Sequence, residues 1–127
     1  MKTSCFKNYQ GPGRISIARY APRGTPSGYK VVKALAPGAW FNSVSQFEYR
    51  QRYFAQLEAL DPEATWNELH RLARMTSGRD AEPVLLCWEK PPFTSKNWCH
   101  RRMVAEWFQR TLGREVPELE TGQLSLL

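Results

Sequence analysis

An apolar run that ends on a thiol and a carboxylate, followed by a loop and an amphipathic segment that begins on a second thiol, constrains this chain most. Residues 84–89 read Val-Leu-Leu-Cys-Trp-Glu, and Cys99-His100-Arg101-Arg102 opens a pattern that continues from Met103 through Leu112. A short apolar run bounded by turn residues fits a buried strand, and apolar residues three and four apart fit a helix. Strand, loop and helix in that order place the strand's end and the helix's start at one edge of a sheet. In open α/β folds, ligands bind at that edge. The expected fold is therefore α/β, a single compact domain with a small, largely parallel sheet flanked by helices.

Composition narrows the class further. At 127 residues, with 42% apolar and 24% charged side chains, the chain suits one globular domain with a genuine core. No apolar stretch approaches the ~20 residues of a membrane span. The opening Met-Lys-Thr-Ser-Cys-Phe leads into polar, glycine and proline residues and not into an apolar signal core. Three cysteines, an odd number, argue against a secreted disulfide framework and for a reducing, cytoplasmic setting. A net charge of +6 favours an anionic partner, nucleic acid or nucleotide, without specifying a fold.

Punctuation and periodicity organise the rest. Arg14 to Tyr20 places isoleucines in alternation after the Gly11-Pro12-Gly13 turn, a strand pattern. Tyr29 to Leu35 is compatible with a strand or a short helix. Asn42 or Ser43 caps a helix running to Leu60, with Phe47, Tyr53 or Phe54, Leu57 and Leu60 on one face. Asp61-Pro62 supplies a cap and a first-turn proline for a second helix, which carries Trp66, Leu69, Leu72 and Ala73 and ends near Ser77-Gly78. Gly113 stops the Cys99–Leu112 helix, and Glu115-Val116 is a candidate short strand. The domain is expected over residues 1–118, followed by an extended tail over 119–127.

Cysteine chemistry depends on thiolate character. Cys99, at a helix start beside His100, Arg101, Arg102 and Lys96, has a setting that lowers a thiol's pKa. It is the candidate nucleophile, with Glu89 as general acid or base across the gap. Arg101, His100, Arg19 and Cys87 are candidates for holding an anionic group. The bland alternative makes Cys99 a small capping residue and Cys87 part of the core. A zinc site at Cys87, Cys99 and His100, with Glu89, His70 or Cys5 as a fourth ligand, lacks the paired C-x-x-C or H-x-x-x-H knuckle, and adjacent ligands at a helix start are awkward. No metal or cofactor is assigned, and a Cys87–Cys99 disulfide is unneeded in a reducing compartment. His70, between Leu69 and Leu72, fits a partly buried helix histidine better than a ligand.

The pairing of Cys87-Trp88-Glu89 with Cys99-His100-Arg101 resembles the C-x-E and C-H-R motifs of domain-of-unknown-function family 488. Arg14 to Arg19 followed by Pro22, then Leu35-Ala36-Pro37, Trp40-Phe41-Asn42, Tyr49 and Tyr53, extend the resemblance to about Glu118. It implies a compact α/β domain and no particular reaction. The Lys90–Trp98 loop is longer than the link in many members.

The final Gln123-Leu124-Ser125-Leu126-Leu127 resembles the bacterial sliding-clamp-binding pentapeptide, whose usual last residue is phenylalanine. The resemblance implies a glutamine anchored by hydrogen bonds and leucines entering an apolar pocket, with Gln123, Leu124, Leu126 and Leu127 as the partner-binding residues. Basic residues Arg14, Arg19, Arg23, Lys30 and Lys33, and a second group of Lys90, Lys96, Arg101 and Arg102, lie near aromatic residues, among them Trp88, Phe93 and Trp98. Cations for phosphates and rings for bases are the ingredients of single-strand or flipped-base recognition. The leading expectation is a DNA-associated protein of replication, repair or nucleotide processing with a thiol-containing site. The alternatives are a non-enzymatic nucleic-acid- or clamp-binding accessory protein with structural cysteines, and a thiol redox sensor.

Overall fold

In the computed structural model, residues 1–89, 93–94 and 98–119 are described. Four strands, β1 (Lys2–Cys5), β2 (Arg14–Ser16), β3 (Lys30–Val31) and β4 (Val84–Cys87), form one sheet in the order β1-β4-β2-β3. Every pairing is parallel. The α/β expectation is met, and the sheet is parallel throughout. Three helices, α1 (Gln46–Glu58), α2 (Pro62–Ser77) and α3 (His100–Leu112), complete the fold.

Alternation along the central strand decides which side the helices take. Leu85 joins Ile15, Ile17 and residues of all three helices in the main core, whereas Val84 and Leu86 join Phe6 and Ala18 in a second cluster that contains no helical residue. The helices therefore cover one face and connecting segments cover the other. Because side chains alternate along a strand, Cys87 falls on the same face as Leu85, toward the start of α3. That placement builds the site.

Lys-Thr-Ser-Cys carries no apolar signature, yet it forms β1 with Thr3, Ser4 and Cys5 all buried. The strand is specified by its position beside β4, in register from Lys2 with Val84 to Cys5 with Cys87. β2 stops at Ser16, earlier than the alternation suggested, although Ile17 N–H still donates to the Leu86 carbonyl at 3.1 Å. Residues 29–35 contain both alternatives left open by the sequence: β3, then a 3-10 turn at Lys33–Leu35. The turn before β2 requires Gly13, whose φ is +79° and where a Cβ would lie 2.0 Å from the Glu82 carbonyl oxygen.

The cap of α1 is Ser45, whose hydroxyl accepts from Glu48 N–H, and not Asn42 or Ser43. Phe47 is 72% exposed, so the buried face runs through Tyr49, Tyr53, Phe54 and Leu57. Asp61 and Pro62 take the expected places at the head of α2, and Gly113 ends α3 in the left-handed region. Glu115-Val116 is not a strand; instead Glu118 forms a single parallel bridge with Thr3.

Glu118 is consequently packed beside β1. Leu119 N–H donates to the Thr3 carbonyl at 2.8 Å, which ties down the first residue of the expected tail. Lys90, Lys96 and the pentapeptide residues Gln123, Leu124, Leu126 and Leu127 lie outside the described residues. Among the described residues, no helix is long and apolar enough to cross a membrane.

Candidate functional site

The C-terminal ends of β2 and β4 and the N-terminus of α3 meet around a cavity of about 560 Å³. Cys87, Glu89, Cys99 and His100 all line it, as does Arg19 from the segment after β2. Trp88, Trp98, Tyr49 and Phe41 give it aromatic walls. Residues spread from position 18 to position 100 are thus gathered at the sheet edge where the strand-loop-helix reading put them.

The sulfurs of Cys87 and Cys99 touch at bonding distance at the floor of the cavity, with their Cα atoms 7.0 Å apart. Cys99 is the N-cap of α3, but its side chain makes no capping hydrogen bond. The sulfur meets Cys87 and caps no helix amide. Both residues are almost wholly buried, at 1% and 5% exposure. Glu89 sits beside them, its Oε2 4.0 Å from Cys87 Sγ.

His100 has a defined orientation. Its Nε2 lies 2.6 Å from the Ile17 carbonyl oxygen; a carbonyl only accepts, so Nε2 carries the proton. Nδ1 then presents a lone pair 3.8 Å from Cys99 Sγ. Tyr53 packs edge-on against the ring, with centroids 5.2 Å apart. Burial, and secondarily the nearby Arg101 charge, outweigh the Ile17 hydrogen bond and hold the imidazole down to about 4. A neutral, buried ring is a lone-pair donor and offers an anion no positive charge, so the expected anion-holding role does not suit it.

Arg101 departs from expectation in the same way. It is fully buried, and its guanidinium donates to Glu118 through Nε at 2.9 Å and Nη2 at 2.8 Å. Nη1 donates to Cys87 Sγ at 3.0 Å, and the Phe93 ring lies 4.8 Å from the guanidinium carbon. These contacts leave its guanidinium turned inward, between Glu118 and Cys87. Arg102 likewise turns inward, donating to Thr3 Oγ1 and the Val116 carbonyl, each at 2.8 Å. Arg14 is 6% exposed and donates to the Pro26 and Ser27 carbonyls, which removes it from the expected basic surface.

Arg19 remains available. It is exposed, donates to the Pro37 carbonyl at 3.1 Å, and lies over the Phe41 and Tyr20 rings at 5.5 and 5.9 Å. No carboxylate pairs with it among the described residues. Trp88 and Tyr20, 53% and 65% exposed, are joined by a 2.7 Å hydrogen bond from the indole Nε1 to the Tyr20 carbonyl. Tyr49 and Trp98, which also line the cavity, pack edge to face with centroids 4.6 Å apart. Burial and then the Glu89 charge push the Tyr49 hydroxyl pKa upward, so it stays protonated and able to donate.

Tyr49, Phe41 and Glu118 are the residues that reading for chemistry missed. The Tyr49–Tyr53 spacing of four could have placed Tyr49 on the buried face of α1, whereas nothing local to Glu118 announces its buried partner. No protein-family model matches the chain, and neither a curated protein nor a solved structure matches it.

Proposed function

We propose that the chain is a DNA-associated protein of replication, repair or nucleotide processing whose cavity receives a nucleobase, either in a free nucleotide or unstacked from a strand. The convergence of aromatic walls, one exposed guanidinium and a thiol-carboxylate floor in a single cavity carries this reading. Flat apolar walls bind the faces of bases, as in flipped-base and single-strand recognition. Arg19 at the rim supplies a charge for phosphate, and Glu89 accepts hydrogen bonds from ring and exocyclic N–H groups. Cys99 and Glu89 carry the chemistry, with Cys87 held beside them by Arg101. The similarity of Cys87-Trp88-Glu89 and Cys99-His100-Arg101 to family 488 motifs joins the same residues into one unit.

The proposed address is the sliding clamp, reached through Gln123, Leu124, Leu126 and Leu127. Leu119, the last described residue, is anchored at the edge of β1, and the pentapeptide begins four positions later. The accessory-protein alternative keeps this address and assigns the cysteines to structure.

Fluorescence titration with nucleoside monophosphates and with single-stranded oligonucleotides tests the cavity reading. The expected result is saturable quenching of tryptophan emission that weakens with salt and is lost in Trp88→Ala with Trp98→Ala. Quenching unchanged in that double variant, or no binding at low salt, contradicts it.

A further inference from the structure

Three donor atoms at the floor of the cavity, Cys87 Sγ, Cys99 Sγ and His100 Nδ1, lie within 4.8 Å of one another. We infer that these atoms bind one zinc-class divalent ion, with its fourth position open to the cavity beside Glu89. Two thiolates and an imidazole are the donors such an ion prefers, and three protein ligands with an open position distinguish catalytic zinc sites from closed structural ones.

Geometry supports the set beyond mere proximity. Zinc–sulfur and zinc–nitrogen bonds of about 2.3 and 2.0–2.1 Å at a tetrahedral angle separate the two donors by about 3.6 Å. Cys99 Sγ and His100 Nδ1 are already 3.8 Å apart. The extended backbone at Cys99, φ −144° and ψ 144°, turns its side chain away from the helical path. Adjacent residues can then reach one point, which resolves the awkwardness of sequential ligands. Rotation of either cysteine side chain opens the touching sulfurs to the ~3.8 Å edge of the same tetrahedron.

The surroundings are those of a ligand set. A metal-bound histidine donates its other ring N–H to a carbonyl or carboxylate, which fixes ring and tautomer. His100 does this through Nε2 to Ile17, leaving Nδ1 as the coordinating atom. Arg101 Nη1 donates to Cys87 Sγ, offsetting thiolate charge, and Glu118 orients Arg101 through two hydrogen bonds. Glu89 lines the cavity next to Cys87, placed to accept a proton from a water on the open position. On this inference Cys99 serves the thiol site as a ligand. It rests on the floor of the proposed cavity and is independent of which organic ligand enters.

The test uses the full chain, reduced and stripped with a chelator, then titrated without oxygen with Co²⁺ and afterwards Zn²⁺. The expected result is one equivalent of Co²⁺ with thiolate-to-cobalt charge-transfer absorption, displaced by one equivalent of Zn²⁺. Cys87→Ser, Cys99→Ser and His100→Gln should each weaken binding by at least ~100-fold, beyond the range for outer-shell changes. Because those variants alter a buried cluster, alkylation of wild type provides a second readout: Zn²⁺ should protect Cys87 and Cys99, and chelator should release that protection. Glu89→Gln should retain one equivalent. Absence of both the absorption and the protection in reduced wild type overturns the inference, as does loss of binding in Glu89→Gln with retention in His100→Gln. Nucleotide binding is not read in this experiment, so its outcome and that of the cavity reading remain distinguishable.

Discussion

Arg101 and Glu118 form a two-point ion pair, with Nε–Oε1 and Nη2–Oε2 at 2.9 and 2.8 Å, in which the arginine side chain is fully buried and the glutamate is 19% exposed. It fastens the segment after α3 to the helix's first turn and positions Nη1 on Cys87.

Removing Glu118 strands a buried guanidinium. Glu118→Ala should cost about 2–4 kcal/mol, somewhat below the full range for breaking a buried pair because the carboxylate retains some solvent contact. Arg101→Met with Glu118→Leu should recover part of that loss, since no charge is left unpaired. Urea denaturation checks both; a cost below about 0.5 kcal/mol for the single change contradicts the assignment.

Tyr53 tests the join between α1 and the 3-10 turn. Its hydroxyl donates to the Leu35 carbonyl within the core, and both residues are fully buried. Tyr53→Phe keeps the ring and strands the carbonyl, so it should destabilise by about 1–3 kcal/mol. Full stability in thermal unfolding would show that this carbonyl finds another donor.

Much of this architecture follows from local signals, and much does not. Val84–Cys87 and the Asp61-Pro62 helix start are legible because an apolar run and a capping residue act within a few positions. β1 is illegible because Thr3 and Ser4 are buried polar residues whose strand exists only through β4 and the Glu118 bridge. That four of the candidate residues meet at one cavity is legible, whereas the Tyr49 and Phe41 walls and the inward turn of Arg101 are not. Spacing brings Cys87, Glu89, Cys99 and His100 to one edge, but whether a nearby arginine faces solvent or a buried carboxylate depends on a partner 17 residues away. Likewise, the His100 tautomer is set by Ile17, across 83 residues of sequence.

Glu82 gives a pH signature. The hydrogen bond from Lys2 at 2.7 Å is the main cause of its carboxyl pKa lying below the usual value, with burial opposing it. A depressed folded-state value adds stability above the unfolded carboxylate pKa, and that stability is lost as pH falls through the folded one. With the pair about half exposed, the contribution is about 0.5 kcal/mol. Glu82→Gln should therefore be slightly less stable than wild type at pH 7, and the gap should close as pH falls through the depressed folded-state value. A gap that does not narrow as the solution is acidified contradicts the linkage.

Arg19 is the exposed cation at the cavity rim. Arg19→Ala should weaken nucleotide and single-strand binding by about 10-fold and reduce the salt dependence by about one phosphate contact. Stability should fall by no more than about 1 kcal/mol, the net worth of one part-buried hydrogen bond to the Pro37 carbonyl. An unchanged salt slope places the phosphate elsewhere.

The cavity's role as a ligand site is tested most directly by following the five tryptophan indole N–H signals by heteronuclear NMR during titration with nucleoside monophosphates. Trp88 and Trp98 line the cavity, whereas Trp66 and Trp107 pack against Phe108 in the helical core. The account predicts saturable shifts of the Trp88 and Trp98 signals, with Trp66 and Trp107 unmoved. No shift in any indole signal, or shifts confined to Trp66 and Trp107, would contradict it.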